Sequence, residues 1–170
     1  MKVAIYSRGV DIDQEQSLNA LLNELYRFEV EIYIYEDLIK KFNLQLGNNT
    51  SSLIPFKSAL DLHNTIDCLI SVGGDGTVLD AITLIGDTNI PVLGINYGRL
   101  GFLASISKDE LSLMVEALVN RSYVIDKRTL IHLDSDKSVF GATPFALNEF
   151  AIHKRDTSPM IKIHTYLNYH

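Results

Sequence analysis

A glycine-rich turn around one carboxylate, Gly73-Gly74-Asp75-Gly76-Thr77, is the part of the sequence best suited to chemistry. Glycines remove the Cβ atoms that keep a main chain away from a ligand, and they permit positive φ, so that successive N–H groups can converge on phosphate oxygens. Apolar residues at helical spacing follow the turn, and the positive end of such a helix also favours an anion. The sequence therefore predicts phosphate binding by Gly73, Gly74, Gly76 and Thr77.

Asp75 is the unusual residue in this turn, because its carboxylate would repel a phosphate. A proton-transfer role or a partnership with Mg²⁺ would offset that repulsion, which makes Asp75 a candidate general base or a neighbour of a metal ion. The alternative is a tight turn in which the Asp75 side chain is the N-cap of the following helix. Local physics leaves both interpretations open.

A second glycine-rich turn, Asn96-Tyr97-Gly98-Arg99-Leu100-Gly101-Phe102-Leu103, also follows an apolar run typical of a strand. In a parallel sheet the carboxyl ends of the strands share one edge, where the ligand clefts of open α/β sheets form. We therefore expect the two turns to lie on the same edge. Arg99 could bind a phosphate there and Phe102 could stack on a base. The alternative is an exposed arginine and a buried phenylalanine without such roles.

Asn148 and Glu149 place an amide beside a carboxylate within the otherwise apolar segment Ala146–Ile152, which has the pattern of a strand. Burying such a pair costs free energy unless both side chains are hydrogen-bonded. A ligand rich in hydroxyls or amides would provide those bonds. The alternative is a strand edge with Glu149 in solvent.

The elements that must position these residues follow from the periodicity of residues 1–120. The run Ile66–Val72, which leads into the first turn, is apolar almost throughout, as in a strand covered on both faces. Leucines at helical spacing predict a helix over residues 13–28, and Ser107 with Glu110 has the spacing of a capping box that opens another. Strands alternating with helices predict an α/β fold, a Rossmann-like parallel sheet with helices on both faces. Further strands are predicted at Val3–Tyr6, Val30–Tyr35 and Pro91–Asn96, and a loop or mobile flap at residues 43–58.

The pattern changes after residue 120, where no helical period is found. Three segments there have the pattern of successive strands: Ser122–Leu133, Phe145–His153 and Met160–Tyr169. We therefore predict an α/β nucleotide-phosphate-binding domain over residues 1–120. Residues 121–170 are predicted to be the start of a β-rich second domain.

Composition restricts the classes of protein to which the chain can belong. It has 170 residues, 46% apolar and 21% charged, as in one ordinary domain or one domain with part of a second. The net charge of −6 argues against nucleic-acid binding. No apolar run approaches the roughly 20 residues of a membrane span, and no signal peptide is evident, so a soluble, cytoplasmic protein is expected. The single cysteine, Cys68, is expected to be a small buried hydrophobe.

Charge is distributed unevenly along the chain. Residues 1–120 contain 8 Lys and Arg against 16 Asp and Glu, whereas residues 121–170 contain 7 against 5. One interpretation is chance variation of the surface. The other is that the later segment faces an anionic ligand, with Arg99, Lys154 and Arg155 forming a basic surface.

Several common site motifs are absent from the sequence. The first strand–helix turn, Ser7–Asp11, lacks G-x-G-x-x-G, and no G-x-x-x-x-G-K-[ST] occurs, so neither a dinucleotide fingerprint nor a P-loop is present. The histidines are scattered without metal-ligand spacing, and no G-x-S-x-G accompanies a plausible triad. Zinc and serine-hydrolase chemistry are therefore not indicated.

With its three motifs in this order and at these separations, the chain resembles an NAD kinase from Met1 essentially to His170. The motifs are Gly73–Thr77, Asn96–Leu103 with its Gly-Arg-Leu-Gly-Phe-Leu core, and Asn148-Glu149. The glycine-aspartate motif alone is shared with 6-phosphofructokinases and with diacylglycerol and sphingosine kinases.

The resemblance implies transfer of a phosphoryl group from ATP, or from polyphosphate in some members, to the 2′-hydroxyl of the adenosine ribose of NAD, which yields NADP. Asp75 would take up the hydroxyl proton, while the main chain at Gly74, Gly76 and Thr77 would hold phosphates together with Mg²⁺ or another divalent ion, with no direct protein ligand to the metal. Asn148 and Glu149 match the pair that contacts the dinucleotide, and Phe102 lies in the turn near the adenine pocket. The resemblance also implies a homo-oligomer for the full-length protein.

One departure from the family pattern concerns the end of the chain. Family members continue into a β-rich domain with a Thr-Pro-Thr-Gly-Ser-Thr-Ala-Tyr-like segment, which is absent here. We therefore expect an incomplete form with weak or no turnover. Two other functions are weighed beside NAD phosphorylation: a related kinase acting on a sugar phosphate or a lipid, and a non-catalytic nucleotide-binding module.

Overall fold

A six-stranded parallel sheet with helices on both faces forms the centre of the molecule, as the sequence predicts. The computed structural model describes residues 1–8, 12–44, 53–98, 101–137, 139–141, 144–153 and 160–168, and only the main chain of residues 12–14, 63–65 and 108. The strands of the sheet are β1 (Lys2–Tyr6), β2 (Glu31–Tyr35), β3 (Leu53–Phe56), β4 (Cys68–Val72), β5 (Val92–Asn96) and β6 (Ile106–Ser107). The α-helices are α1 (Ile12–Arg27), α2 (Glu36–Lys41), α3 (Asp75–Ile85) and α4 (Leu111–Val119), and 3₁₀ helices span Ala59–Thr65 and Lys108–Glu110.

The strand order is β3-β2-β1-β4-β5-β6. The chain moves outward from β1 through β2 to β3 and then returns to β4 on the other side of β1. The direction of winding therefore reverses between β1 and β4, where Tyr6 pairs in register with Ser71. Open α/β sheets bind ligands at such a switch point, outside the carboxyl ends of the strands.

The two faces of the sheet are covered by different helices. On one face, Leu18, Leu22 and Leu25 of α1 and Val115 of α4 pack against alternate residues of the strands such as Ile5. Helix α1 confirms the helix predicted over residues 13–28. The predicted capping box of Ser107 and Glu110 is also present, at the start of the 3₁₀ helix that precedes α4. On the other face, α3 and the 3₁₀ helix Ala59–Thr65 cover the intervening strand residues. The sheet is therefore buried on both sides, as expected for parallel strands.

The prediction of a loop over residues 43–58 is wrong at β3, which pairs in parallel with β2. The sequence did not predict this short strand because polar residues surround it and because Pro55 within it argues against a central strand. Proline is tolerated here because β3 is the outermost strand. Phe56 ends the strand fully buried. The short helix α2 was likewise not predicted.

The three strands predicted after residue 120 are mostly wrong. Among the described residues after 120, the strands are β7 (Ile131–His132) and β8 (Phe145–Ala146), which pair antiparallel. Residues 160–168 contain no strand, and Val124 is 96% exposed. A strand needs a partner strand as well as a suitable sequence, and beyond the pairing of β7 with β8 the described residues offer these segments none. The division into two domains at residue 120 stays a prediction.

Cys68 is buried in β4, which confirms its predicted place in the core, and burial raises the pKa of its thiol to about 12. Among the described residues, no helix has both the length and the apolar character that crossing a membrane requires.

Candidate active site

The first glycine-rich turn lies at the switch point of the sheet, between β4 and α3. Because Tyr6 is in register with Ser71, the residues that follow β1 and β4 lie beside each other at the carboxyl edge. Arg8 follows β1 there, exposed, and its Nε lies 3.2 Å from Oδ2 of Asp80 in α3. The site is thus formed by two strand ends and the beginning of one helix.

Gly73 and Thr77 hold the turn together. Gly73 has a φ of +150°, and a Cβ there would lie 2.3 Å from Oγ1 of Thr77, so only glycine fits. Its N–H donates to the carbonyl oxygen of Ile95 at 2.9 Å. The N–H of Thr77 donates to the carbonyl oxygen of Gly74, also at 2.9 Å, and the Thr77 side chain is buried. Both residues therefore use these main-chain donors within the protein.

Gly74 and Gly76 are the open positions of the turn. Both are exposed, and apart from their chain neighbours and the main chain of α3, no described atom lies within 4 Å of a Cβ added at either. Gly74 is the N-cap of α3, and the first N–H groups of a helix have no partner within the helix. An anion can therefore approach these donors closely, at the positive end of α3.

The Asp75 carboxylate points to the second turn. Its Oδ2 accepts the N–H of Phe102 at 2.8 Å, and its Oδ1 accepts those of Leu103 and Ala104, both at 2.9 Å. These donors, that of Ala104 first and then those of Phe102 and Leu103, hold the pKa of the carboxyl below its ordinary value. The N-cap interpretation of Asp75 is wrong, because Gly74 is the N-cap and Asp75 is the first residue of the helix. Asp75 is instead an ionised group that joins the two turns.

The second turn is held by Asn96, which is buried at the end of β5. Its Oδ1 accepts the N–H of Gly98 at 2.7 Å, and its Nδ2 donates to the carbonyl oxygen of Ala104 at 3.5 Å. Tyr97 anchors the turn to α1 by donating its hydroxyl to the carbonyl oxygen of Ser17 at 3.3 Å, and burial raises the pKa of Tyr97 to about 12. Both ends of the turn are therefore fixed by side chains.

Phe102 presents its ring to solvent although its N–H is bonded to Asp75. The side chain is 97% exposed, so the alternative of a buried phenylalanine is wrong. An aromatic ring so exposed, next to an ionised carboxylate and open helix donors, is a surface on which a base can stack. Arg99 lies outside the described residues.

Asn148 and Glu149 are not brought to the turns by any contact among the described residues. Both are exposed and lie just after β8, so the predicted strand Ala146–Ile152 is wrong beyond Ala146. Glu149 is in solvent, as in the alternative, but it does not lie at a strand edge. Phe145 of β8 packs near Gly86, at the far end of α3 from Asp75. Lys154 and Arg155 lie outside the described residues.

Two features of the site were missed in the sequence. The main-chain donors of Phe102 to Ala104 lie 27 to 29 residues from Asp75, and no local pattern indicates such a pairing. Arg8, by contrast, comes shortly after a predicted strand. Because ligands of open α/β sheets bind outside the carboxyl ends of the strands, the sequence could have placed Arg8 at the site. Nearby, burial and then the negative charge of Asp80 raise the pKa of Tyr6 to about 12.

The site combines open main-chain donors, an exposed arginine, an exposed aromatic ring and one ionised carboxylate. These groups suit a nucleotide: phosphates at the helix end, a base on the ring, and a hydroxyl near the carboxylate. Among the described residues, no cluster of three or more His, Cys, Asp or Glu could hold a metal ion.

Comparison with known proteins gives a consistent result. Residues 15–123 match the family model of the ATP-NAD kinase N-terminal domain. The chain is 42% identical over 171 residues to an NAD kinase of Cytophaga hutchinsonii, covering 99% of this chain and 57% of that protein. It is 35% identical over 175 residues to an NAD kinase of Flavobacterium johnsoniae, covering 99% and 58%. The chain thus spans little more than half the length of these curated relatives.

Among solved structures, the crystal structure of yeast NADH kinase complexed with NADH is similar, with a TM-score of 0.62 and 23% sequence identity. The match covers 79% of this chain and 44% of that one. At this level of identity the likeness supports the α/β fold.

Proposed function

Because the chain belongs to the ATP-NAD kinase family, we propose that it is the part of an NAD kinase that binds phosphates and supplies the catalytic carboxylate. The full-length enzyme would transfer the terminal phosphoryl group of ATP, or of polyphosphate, to the 2′-hydroxyl of the adenosine ribose of NAD. The observation that carries this proposal is the ionised Asp75 at the beginning of α3, between the open Gly74 and Gly76.

Asp75 is proposed to accept the proton of the ribose hydroxyl. A bond forms between the 2′-oxygen and the terminal phosphorus, the bond from that phosphorus to the bridging oxygen of ADP breaks, and the proton passes to Asp75. The low pKa of Asp75 makes it a weak base that is ionised at neutral pH. Phosphoryl transfer proceeds largely by alignment and charge neutralisation, so a weak base in the correct position is sufficient.

The phosphates are proposed to lie on the turn Gly73–Thr77. The N–H groups at Gly74 and Gly76 are accessible donors of the turn, whereas the N–H groups of Gly73 and Thr77 donate within the protein. Arg8 lies at the same edge of the sheet, where it forms an ion pair with Asp80. Arg99 is proposed to bind a phosphate and Phe102 to stack on the adenine.

A divalent ion such as Mg²⁺ is proposed to be held at this site through the phosphates. Both oxygens of Asp75 accept N–H groups, and Mg²⁺ commonly binds by one or two carboxylates, water and substrate phosphates rather than in an all-protein cage. Bound in that way, the ion would neutralise charge on the transferred group. Gly74 and Gly76 would hold the phosphates that hold the ion.

Asn148 and Glu149 are proposed to contact the dinucleotide, which requires the segment after β8 to approach Asp75 in the full-length enzyme. A homo-oligomer and a cytoplasmic location are proposed for that enzyme as well. The 170 residues alone are expected to show weak or no turnover, because the chain spans only 57% of its relative from Cytophaga hutchinsonii.

A coupled assay with an NADP-specific dehydrogenase tests the proposal, using NAD, ATP and Mg²⁺. It is run on this chain and on the longest polypeptide that its gene encodes. Asp75→Asn is expected to abolish the signal of the active form. The matched control is Asp87→Asn, an exposed aspartate just beyond the other end of α3, which should leave the rate unchanged. Equal rates in the wild type and Asp75→Asn would overturn the role of Asp75.

The same assay distinguishes the two other functions. Phosphorylation of a sugar phosphate or a lipid, with none of NAD, would identify a different acceptor. Binding of NAD by calorimetry without turnover in the longest polypeptide would identify a non-catalytic nucleotide-binding module.

A further inference from the structure

The Asp75 carboxylate is held by three consecutive main-chain N–H groups, those of Phe102, Leu103 and Ala104. An ionised carboxylate offers about four lone-pair positions, two on each oxygen. Two of the bonds end on Oδ1 and one on Oδ2. With respect to the donors that the structure describes, one acceptor position is therefore left, and it is on Oδ2.

The turn that supplies these donors is fixed independently of Asp75. The side chain of Asn96 bonds the N–H of Gly98 and the carbonyl oxygen of Ala104, so it joins the two ends of the turn. Gly94 lets the turn lie directly on β5, because a Cβ there would be 2.7 Å from Cα of Ala104 and 3.0 Å from the carbonyl oxygen of Leu103. The donors therefore form a prepared receptor for the carboxylate.

Gly101 provides the space that the carboxylate occupies. A Cβ at this position would lie 2.1 Å from Oδ1 of Asp75, 2.4 Å from its Cγ and 2.6 Å from its Oδ2. Real Cβ atoms do not approach other atoms so closely, and Gly101 is not among the glycines with positive φ. The requirement for glycine here is thus one of space and not of backbone conformation.

We propose that Gly101 and the N–H groups of residues 102–104 position Asp75 so that Oδ2 is the oxygen that receives the substrate hydroxyl. Gly101 is a positioning residue in this proposal, since it acts through Asp75. The proposal rests on the proposed function for the identity of the substrate. The fixing of the carboxylate by the turn does not depend on that function.

The proposal has a consequence for pH dependence. Three donors to the ionised form, those of Ala104, Phe102 and Leu103, hold the pKa of Asp75 below its ordinary value, and the described neighbours of the carboxylate are these main-chain groups. Once the donors are lost, the pKa should return toward its ordinary value. A base must be deprotonated to act, so the acidic limb of the rate profile should then move to higher pH.

Gly101→Ala tests the proposal against Gly98→Ala in the same turn. Among the described residues other than its chain neighbours, the atom nearest to a Cβ at Gly98 is Oδ1 of Asn96, at 3.8 Å, which is ordinary contact. In the active form, Gly101→Ala should lower kcat by about a hundredfold, with a smaller change in KM, and should move the acidic limb upward. Gly98→Ala should change neither. A loss of kcat in Gly101→Ala with the acidic limb unmoved would overturn the positioning role.

Two measurements on the chain itself need no substrate. The Cγ chemical shift of Asp75, followed by NMR, should titrate below its ordinary range in the wild type and nearer to that range in Gly101→Ala. Amide hydrogen exchange of Phe102, Leu103 and Ala104 should be at least about tenfold faster in Asp75→Ala than in the wild type. The amide of Gly98, which is bonded to Asn96, serves as the internal control and should keep its rate.

These outcomes separate the two proposals. Faster exchange at residues 102–104, with no kinase activity in the longest polypeptide that the gene encodes, would support the positioning of Asp75 and contradict the proposed function. Unchanged exchange in Asp75→Ala, with ordinary titration of Asp75 in the wild type, would overturn the positioning even if the kinase assay succeeds. If Gly101→Ala does not fold, the exchange rates in Asp75→Ala still test whether the N–H groups of residues 102–104 position the carboxylate.

Discussion

The sheet of residues 1–119 and the polypeptide after residue 120 contain similar apolar runs but bury them very differently. Leu69 of β4 is 0% exposed between two layers of helices, whereas Leu167 is 80% exposed. In the first region each strand has partners on the sheet and helices above and below. In the second, the described strands are two residues long. An apolar pattern therefore stabilises the fold only where neighbours are present to cover it.

The largest expected effect contrasts two leucines. Leu69→Ala should lower the free energy of unfolding by about 2–5 kcal/mol, because it opens a cavity in a fully packed layer. Leu167→Ala should change it by less than about 0.5 kcal/mol. Urea denaturation followed by circular dichroism measures both. Similar losses in the two variants would contradict the difference in burial.

The next prediction sharpens the contrast within the first turn. Gly73→Ala should destabilise the chain by about 1–3 kcal/mol, because residue 73 has a positive φ and the alanine Cβ would crowd the side chain of Thr77. Gly76→Ala should leave the chain as stable or slightly more stable, because a Cβ there meets open space and alanine favours a helix. Thermal unfolding compares the two. A greater loss of stability in Gly76→Ala than in Gly73→Ala would show that the fold requires glycine at position 76.

Phe102→Ala should separate stability from binding at the exposed ring. The side chain is 97% exposed, so its loss should change the free energy of unfolding by less than about 0.5 kcal/mol. Binding of NAD or ATP, measured by calorimetry, should weaken by about 1 kcal/mol through lost stacking. The control is Leu60→Ala, which removes another exposed apolar side chain away from the turns. Unchanged binding in Phe102→Ala would show that the ring does not contribute to nucleotide binding.

The smallest expected effect concerns pH. The pKa of Asp75 is lower in the folded chain than in an unfolded one, so its ionisation favours folding. That contribution is complete above the ordinary carboxyl pKa of about 4 and is lost as the pH falls through the lower folded value. Asp75→Asn should therefore lose stability less steeply than the wild type on acidification, as measured by urea denaturation at several pH values. Asp87→Asn should keep the wild-type slope.

Much of the sheet could be predicted from the sequence because its signals are local. The helical spacing of Leu18, Leu22 and Leu25 defines α1, and the apolar run before Gly73 defines β4. The strand β3 could not be predicted, since only its pairing with β2 distinguishes Leu53–Phe56 from the polar loop around it. The strands expected after residue 120 were mostly wrong for the converse reason: the sequence pattern is present, but beyond the two-residue pairing of β7 with β8 the described residues provide no partner strand.

The sequence indicates the turn around Asp75 but not the contacts that the turn makes. Glycines around Asp75 after a buried strand mark the turn, and their chemistry follows from residue type. The pairing of Asp75 with Phe102 to Ala104 depends on how β5 and α3 pack, which no local pattern contains. The exposure of Phe102 depends on the same packing, so it was left as one of two alternatives.

The outer strand β3 has a consequence for how copies of the protein meet at high concentration. The edge of a sheet can recruit a strand from another molecule through its unpaired N–H and C=O groups. Pro55 lies in that outermost strand and has no N–H to donate. The missing donor therefore disfavours edge-to-edge association of sheets from different molecules at β3.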